Sequence, residues 1–292
     1  MKSGREFRWG LRVVAAVMAV MALPVLAHDP PEWSEPVKPF RIAGNVYYVG
    51  TQGLAAYLIK SNEGAILLDA TLAENAGQIE RNIESLGVPL REVKLLLSDH
   101  AHADHVGAMA QLKRDTGARF LASEGDRWAL ENGRNEGDNN YGVMPFDPIP
   151  VDEVISDGQQ VRLGDVVLTA HLTPGHTRGC TSWSMTVDDR GTPRQVLFLC
   201  SITVAGNTLV GNQAYPGIAD DYRATFANLA AMRADIVLTS HPEMADVLER
   251  AAKRDAGEVD AFVEPGLLPA MVEDFRAAFE EALKEQEAAK RP

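Results

Sequence analysis

Cysteine is scarce here. The 292 residues contain two, Cys180 and Cys200, which allow one internal disulfide at most. Positive charge is short as well, with 28 Lys and Arg against 41 Asp and Glu and a formal charge of -13. A surface this acidic repels phosphate, which argues against nucleic acid as a partner. Beyond residue 27 no apolar run is long enough to cross a bilayer. No tandem repeat and no low-complexity tract is present. No Ser-x-x-Lys signature accompanies a Lys-Thr-Gly, so a serine-acylating route has no support. What remains is ordinary for a globular domain: 46% apolar and 24% charged residues.

The chain opens with Lys2, Arg5, Arg8 and Arg12, followed by an apolar stretch from Val13 to Ala27. That is the layout of a secretory leader, and Val25-Leu26-Ala27 has the small-residue ending of a cleavage site. The expectation is removal of residues 1–27, a mature start at His28 and a periplasmic location. Losing four basic residues and one acid makes the mature chain more acidic still. Both cysteines lie in the mature part beside strand-like runs. In an oxidising compartment they are either a disulfide across neighbouring strands or two buried thiols.

Residues 28–40 carry four prolines and suggest an extended arm. Strand-like runs follow at Asn45–Val49, Ala55–Ile59 and Ala65–Leu68. The helical stripe Ile79, Ile83, Leu86 predicts a helix over Leu72–Leu86. Then come a strand at Val93–Leu97, a helix near Val106–Asp115, a strand at Arg119–Ala122 and a helix at Gly125–Leu130. Residues 133–150 are rich in Gly, Asn and Pro and predict a long loop, often a functional feature. Strand patterns resume at Val151, Val161, Val166–Leu172, Trp183–Val187, Val196–Leu199 and Ile236–Thr239. Helices are expected at Tyr222–Met232, Met244–Arg254 and Leu268–Ala289. Strands and helices recur in two similar α/β halves within one domain, residues 28–292, meeting near residue 150.

The chemistry concentrates in His100-Ala101-His102-Ala103-Asp104-His105, just past the strand Val93–Leu97. His100 and His102, two apart in extended chain, face one side and can grip one ion. Asp104 and His105 open the next helical pattern and point elsewhere, which suits a second ion. His176, in Thr173-Pro174-Gly175-His176-Thr177, and His241, in Ser240-His241-Pro242, also follow apolar strands. Open α/β sheets place ligand sites at the carboxyl ends of strands. Three strand ends therefore supply six ligand-type groups. His171 lies within its strand and is structural, and His28 has no assigned role.

These motifs resemble the metallo-β-lactamase superfamily: His-x-His-x-Asp-His, then Pro174-Gly175-His176-Thr177, then His241. The resemblance implies a four-layer αβ/βα sandwich with a di-zinc site at the edge where its halves meet. Longer stretches are similar to class B β-lactamases of subclass three. These are Pro39–Ile42, Tyr47–Thr51, Leu172–Trp183 and Tyr215–Tyr222, within a likeness running from about residue 33 to 242.

By that resemblance His100, His102 and His176 hold one zinc ion, and Asp104, His105 and His241 hold the other. A hydroxide bridging the two ions attacks a β-lactam carbonyl, with Asp104 orienting it. Ser201 and Thr203 are candidates to receive the substrate carboxylate. Asn207, Asn212 and Gln213 are candidate oxyanion donors by nearness in sequence. Asp69 matches an acidic position that orients ligating imidazoles, or else serves as a helix cap or turn residue. Lactone- and thioester-cleaving relatives usually carry a bridging Asp after the strand that follows Pro-Gly-His. Here that strand ends in Cys200-Ser201-Ile202-Thr203, with no carboxylate. Cys200 stands near the thiolate ligand of subclass one, and alignment on Ser201 sets it aside. The resemblance thus implies hydrolysis of penicillins, cephalosporins and carbapenems, and nothing in the chain demands more than a monomer. The alternatives are another hydrolase of this fold, or an exported protein that only binds zinc.

Overall fold

Alternating and doubly buried apolar runs decide the architecture, which a computed structural model describes for residues 29–290. The expected leader, its cleavage site and His28 lie outside the described residues. Seven strands build the first sheet in chain order: β1 (Phe40–Ala43), β2 (Val46–Tyr48), β3 (Tyr57–Ser61), β4 (Gly64–Leu68), β5 (Val93–Leu97), β6 (Arg119–Ser123) and β7 (Glu153–Ile155). β1 to β4 run antiparallel, and β4 to β7 run parallel. The second sheet holds β8 (Gln160–Leu163), β9 (Val166–Leu172), β10 (Thr181–Asp189), β11 (Thr192–Leu199) and β12 (Ile236–Thr239), in the order β12-β11-β10-β9-β8. β11 and β12 are parallel.

Between the sheets lies one apolar layer. Ile66 and Leu68 of β4 and Leu95 and Leu97 of β5 meet Leu168, Trp183, Met185 and Phe198 there. The opposite face of the first sheet, with Leu67 and Leu96, packs on helices α1 (Ala76–Ser85), α3 (Met109–Thr116) and α4 (Glu124–Asn132). Strands buried on both faces read as continuous apolar runs, which is why Leu95-Leu96-Leu97 shows no alternation. Leu197, Leu199 and Val237 on the outer face of the second sheet pack on α5 (Ile218–Ala230) and α7 (Leu267–Ala289). Between β12 and α7, helix α6 (Val247–Asp255) adds Val247 and Ala251 to the inter-sheet layer. Helix, sheet, sheet, helix is the expected four-layer sandwich. The first sheet extends to Ile155, so the change of sheet falls between β7 and β8.

Several boundaries differ from the pattern, each for a physical reason. The segment expected to be helical from Leu72 enters a short 3-10 turn at Ala73–Asn75, and α1 begins at Ala76. The helix expected near Val106 is two, α2 (Ala103–Val106) and α3, separated by Gly107 and Ala108. A Cβ on Gly107 would stand 2.5 Å from Ala103 O and 2.9 Å from Thr71 O, so only glycine fits this close backbone approach. The helix expected at Met244 begins at Val247, after a 3-10 turn and Asp246 at φ +50°. β1 starts at Phe40, the last residue of the expected arm, and runs to Ala43, where the pattern marks no strand. Residues 133–150 contain neither helix nor strand, as expected.

Candidate metal centre

Three strand ends converge on one edge of the sandwich. β5 leads into His100, His102 and, through α2, Asp104 and His105. The turn between β9 and β10 carries His176. The residue after Ser240, just past β12, is His241. Donor atoms of His100, His102 and His176 lie within 4.8 Å of one another, as do those of Asp104, His105 and His241. The two groups adjoin, with the rings of His100 and His105 4.3 Å apart. All six expected donors are therefore brought together.

Each imidazole of the first group has one nitrogen engaged from behind. His100 Nδ1 lies 2.8 Å from Asp99 Oδ1, His102 Nε2 lies 3.2 Å from Tyr141 OH, and His176 Nδ1 lies 2.9 Å from Thr203 O. A second partner on one ring nitrogen fixes the tautomer and leaves the other nitrogen for a metal. His100 Nε2 is buried and has no hydrogen-bond partner, an arrangement that a protein interior tolerates poorly without an ion or water. In the second group Asp104 Oδ2 lies 3.1 Å from His105 Nε2 and 3.3 Å from His241 Nε2. Three imidazoles beside a carboxylate and two more imidazoles form a donor set suited to a divalent borderline ion. The residues fit the metal ions that the resemblance implies.

Electrostatics separate the two groups. Burial, reinforced by neighbouring imidazoles, pushes His102 well below its ordinary value and His176 down to about 3. Both stay neutral, the form that binds metal. Burial would lower His105 too, but Asp104, with Asp99 and Asp69 nearby, outweighs it and raises His105 to about 9. Burial opposes ionisation of Asp104, yet His105 and His241 hold it well below the usual carboxylate range.

Asp69, at the end of β4, caps no helix. It adopts φ +64°, and its Oδ1 accepts the Asp99 N–H at 2.9 Å. Thr71 follows at φ +54°, a costly conformation for a β-branched residue and one that clusters at functional sites. Cys180 and Cys200 are joined in a disulfide, which removes Cys200 as a thiolate ligand. His171 Nε2 lies 2.7 Å from Ser184 Oγ within the second sheet.

A cavity of about 340 Å³ opens over both groups. Ser201 and Thr203 line it, their hydroxyls 3.0 Å apart. Trp33, Met144, Ala205 and Met244 supply an apolar wall, and Tyr141 reaches in from the long loop. The Trp33 ring centroid stands 5.6 Å from that of His241. Asn207, Asn212 and Gln213 do not line this cavity. Asn207 Nδ2 donates to His176 O, Asn212 Nδ2 to Thr208 O, and Gln213 Nε2 to Gly211 O. Sequence reasoning missed Asp99, Asp126, Tyr141 and Trp33. Asp99 had a signal, since it immediately precedes a candidate ligand. Tyr141 lay in the loop already marked as functional, but nothing in its neighbours pointed inward.

The metallo-beta-lactamase superfamily profile matches residues 50–241. The chain belongs to that superfamily. Among solved structures it resembles BJP-1, a subclass B3 metallo-β-lactamase of Bradyrhizobium japonicum. The two are 44% identical with a TM-score of 0.85, over 89% of this chain and 99% of that one. It also resembles native FEZ-1 metallo-β-lactamase from Legionella gormanii, at 39% identity and a TM-score of 0.82, over 87% and 98%. By this likeness the chain stands with the subclass B3 metallo-β-lactamases. A hydroxyacylglutathione hydrolase of Bradyrhizobium sp. (strain BTAi1 / ATCC BAA-1182) is 29% identical over 116 residues, 40% of this chain and 37% of that protein. The chain spans between 37% and 53% of the length of the first two curated relatives it matches.

Proposed function

We propose that this protein hydrolyses β-lactams, penicillins, cephalosporins and carbapenems among them, with two zinc ions. His100, His102 and His176 hold one ion, and Asp104, His105 and His241 the other. The observation that carries the reading is the pairing of these donor groups with Ser201, rather than a carboxylate, at the end of β11. Zinc bound there supplies solvent acidified toward neutrality and a Lewis acid for the scissile carbonyl.

The chain's own residues do the rest. Asp104, kept ionised by its two imidazoles, orients the attacking solvent. Ser201 Oγ and Thr203 Oγ1 face the cavity and donate to the substrate carboxylate. Among the described residues no Lys or Arg lines the cavity, so neutral hydroxyls are the donors on offer. Trp33, Met144 and Met244 pack on the substrate's apolar substituents and keep bulk water from the reacting bond. All six donors come from one chain, so a monomer is complete.

A basic and apolar start, together with a disulfide, supports export to an oxidising compartment, where the activity would confer resistance. Among the described residues no helix is long and apolar enough to cross a membrane.

A second reading, thioester hydrolysis, is favoured by the likeness to hydroxyacylglutathione hydrolases. It is opposed by the missing carboxylate after β11. The deciding assay runs the mature chain against a penicillin, a cephalosporin, a carbapenem, a lactone and a glutathione thioester, with zinc added and then chelated. We expect zinc-dependent turnover of the β-lactams that serine-acylating inhibitors leave untouched. Turnover surviving chelation, or confined to the thioester, contradicts the proposal. Stoichiometric zinc uptake with no turnover points to a binding protein instead.

A further inference from the structure

The three-imidazole group draws on two loops from different halves of the chain, and a single buried carboxylate touches both. Asp126 stands in the first turn of α4, fully enclosed. Its Oδ2 accepts from Ala101 N at 2.9 Å and from Thr177 Oγ1 at 3.0 Å, and its Oδ1 accepts from Gly179 N at 2.9 Å. Ala101 lies between His100 and His102, and Thr177 follows His176. The backbones are pressed together around it. A Cβ on Gly125 would stand 2.5 Å from Arg178 O, and one on Gly179 would stand 2.3 Å from Asp126 N. Ser123 Oγ, one turn back, donates to Gly179 O at 2.7 Å. By contrast, Asp104, His105 and His241 are set by α2 and the end of β12, and Asp126 makes no hydrogen bond to them.

We infer that Asp126 is a positioning residue that clamps the two ligand loops, so that the cation held by His100, His102 and His176 depends on it and the other cation does not. This rests on the two-ion reading above. The chemistry of the side chain makes the inference sharp. A carboxylate offers two acceptor oxygens and no donor, which matches three converging donors. Asparagine of the same shape has one acceptor oxygen and presents an NH₂ to a third donor.

The test uses the full-length mature chain and its D126N and T177V variants, with N82A as a control for lost stability alone. Asn82 is buried and donates to Val37 O and Val49 O, away from the ligand loops. Zinc stoichiometry and affinity are read by chelator competition, the Co²⁺ absorption spectrum reports each site, and thermal melts report folding. D126N should weaken one cation by about 10- to 100-fold, as loss of an outer partner does, and leave the other unchanged. T177V, which removes one donor and keeps the fold, should weaken the same cation less. The double variant should be no worse than D126N. N82A should melt earlier and keep both cations. Two equally tight cations in D126N overturn the clamp alone. So does loss of both in step with melting temperature, as a general destabilisation would give. A wild-type chain that takes up no cation overturns the two-ion reading and the clamp with it.

Discussion

A histidine must be neutral to take a cation, and burial and neighbouring charge decide this for His102, His176 and His105. His102 and His176 are held neutral by burial. His105 carries a proton near neutrality because Asp104 faces it, with a pKa of about 9. A cation entering the Asp104 group must displace that proton. Zinc binding near neutral pH is therefore expected to release at least about one proton per chain, and more where bound solvent ionises. Calorimetry in two buffers of different ionisation enthalpy checks this, and heats independent of the buffer would count against it. The same shift makes a stability statement for metal-stripped protein. A raised histidine pKa contributes stability that is fully present below the ordinary 6.5 and is lost as pH rises through about 9. The melting temperature should fall across that window, and D104N should flatten the fall. Asp99 acts from the other side. D99A leaves His100 Nδ1 without its partner and should weaken zinc by about 10- to 100-fold, measured by chelator competition. An unchanged affinity would remove Asp99 from the account. The six donors were legible because ligand chemistry is written in residue type and spacing. Their outer partners were not. Asp126 is 51 residues from Thr177 and meets it only through the packing of α4 against the β9–β10 turn.

Elements carry these side chains to the site by ending there. The apolar run Val93–Leu97 gave its strand away because a doubly buried strand has nothing to alternate. The long loop was legible from composition. Helix breaks were less so: Gly107 interrupts a helical pattern because the backbone of Thr71 and Ala73 comes close, and Asp246 does so by its positive φ. β1 was missed because a four-residue edge strand is set by pairing with β2, not by its own periodicity. The disulfide belongs to this scale. It ties the start of β10 to the end of β11 across a separation of 20 residues. A loop of that size is worth about 3 kcal/mol of stability. A C180A/C200A double variant should unfold in urea with a free energy lower by about that amount, while still binding zinc, since neither cysteine is a ligand. Unchanged stability would show the bridge to be idle, and loss of zinc would return Cys200 to the ligand set.

At the scale of the whole molecule the site exists because two half-folds press their sheets together. Trp183, fully buried in the second sheet, donates through Nε1 to Ser98 O at 3.2 Å, just before the ligand run begins. Thr181 N donates to Asp99 O at 2.7 Å. The recurrence of strands and helices in two halves was visible in the pattern. That β7 closes the first sheet and β8 opens the second was not, because sheet membership is decided by pairing across long sequence separations. The central claim is that three strand ends gather six donors around two cations. Its most direct measurement is a crystal structure of the mature chain grown with zinc, with anomalous scattering recorded at the zinc edge. The account predicts two peaks, one on His100, His102 and His176 and one on Asp104, His105 and His241. A single ion with closed coordination, or imidazoles turned away from one another, would contradict it.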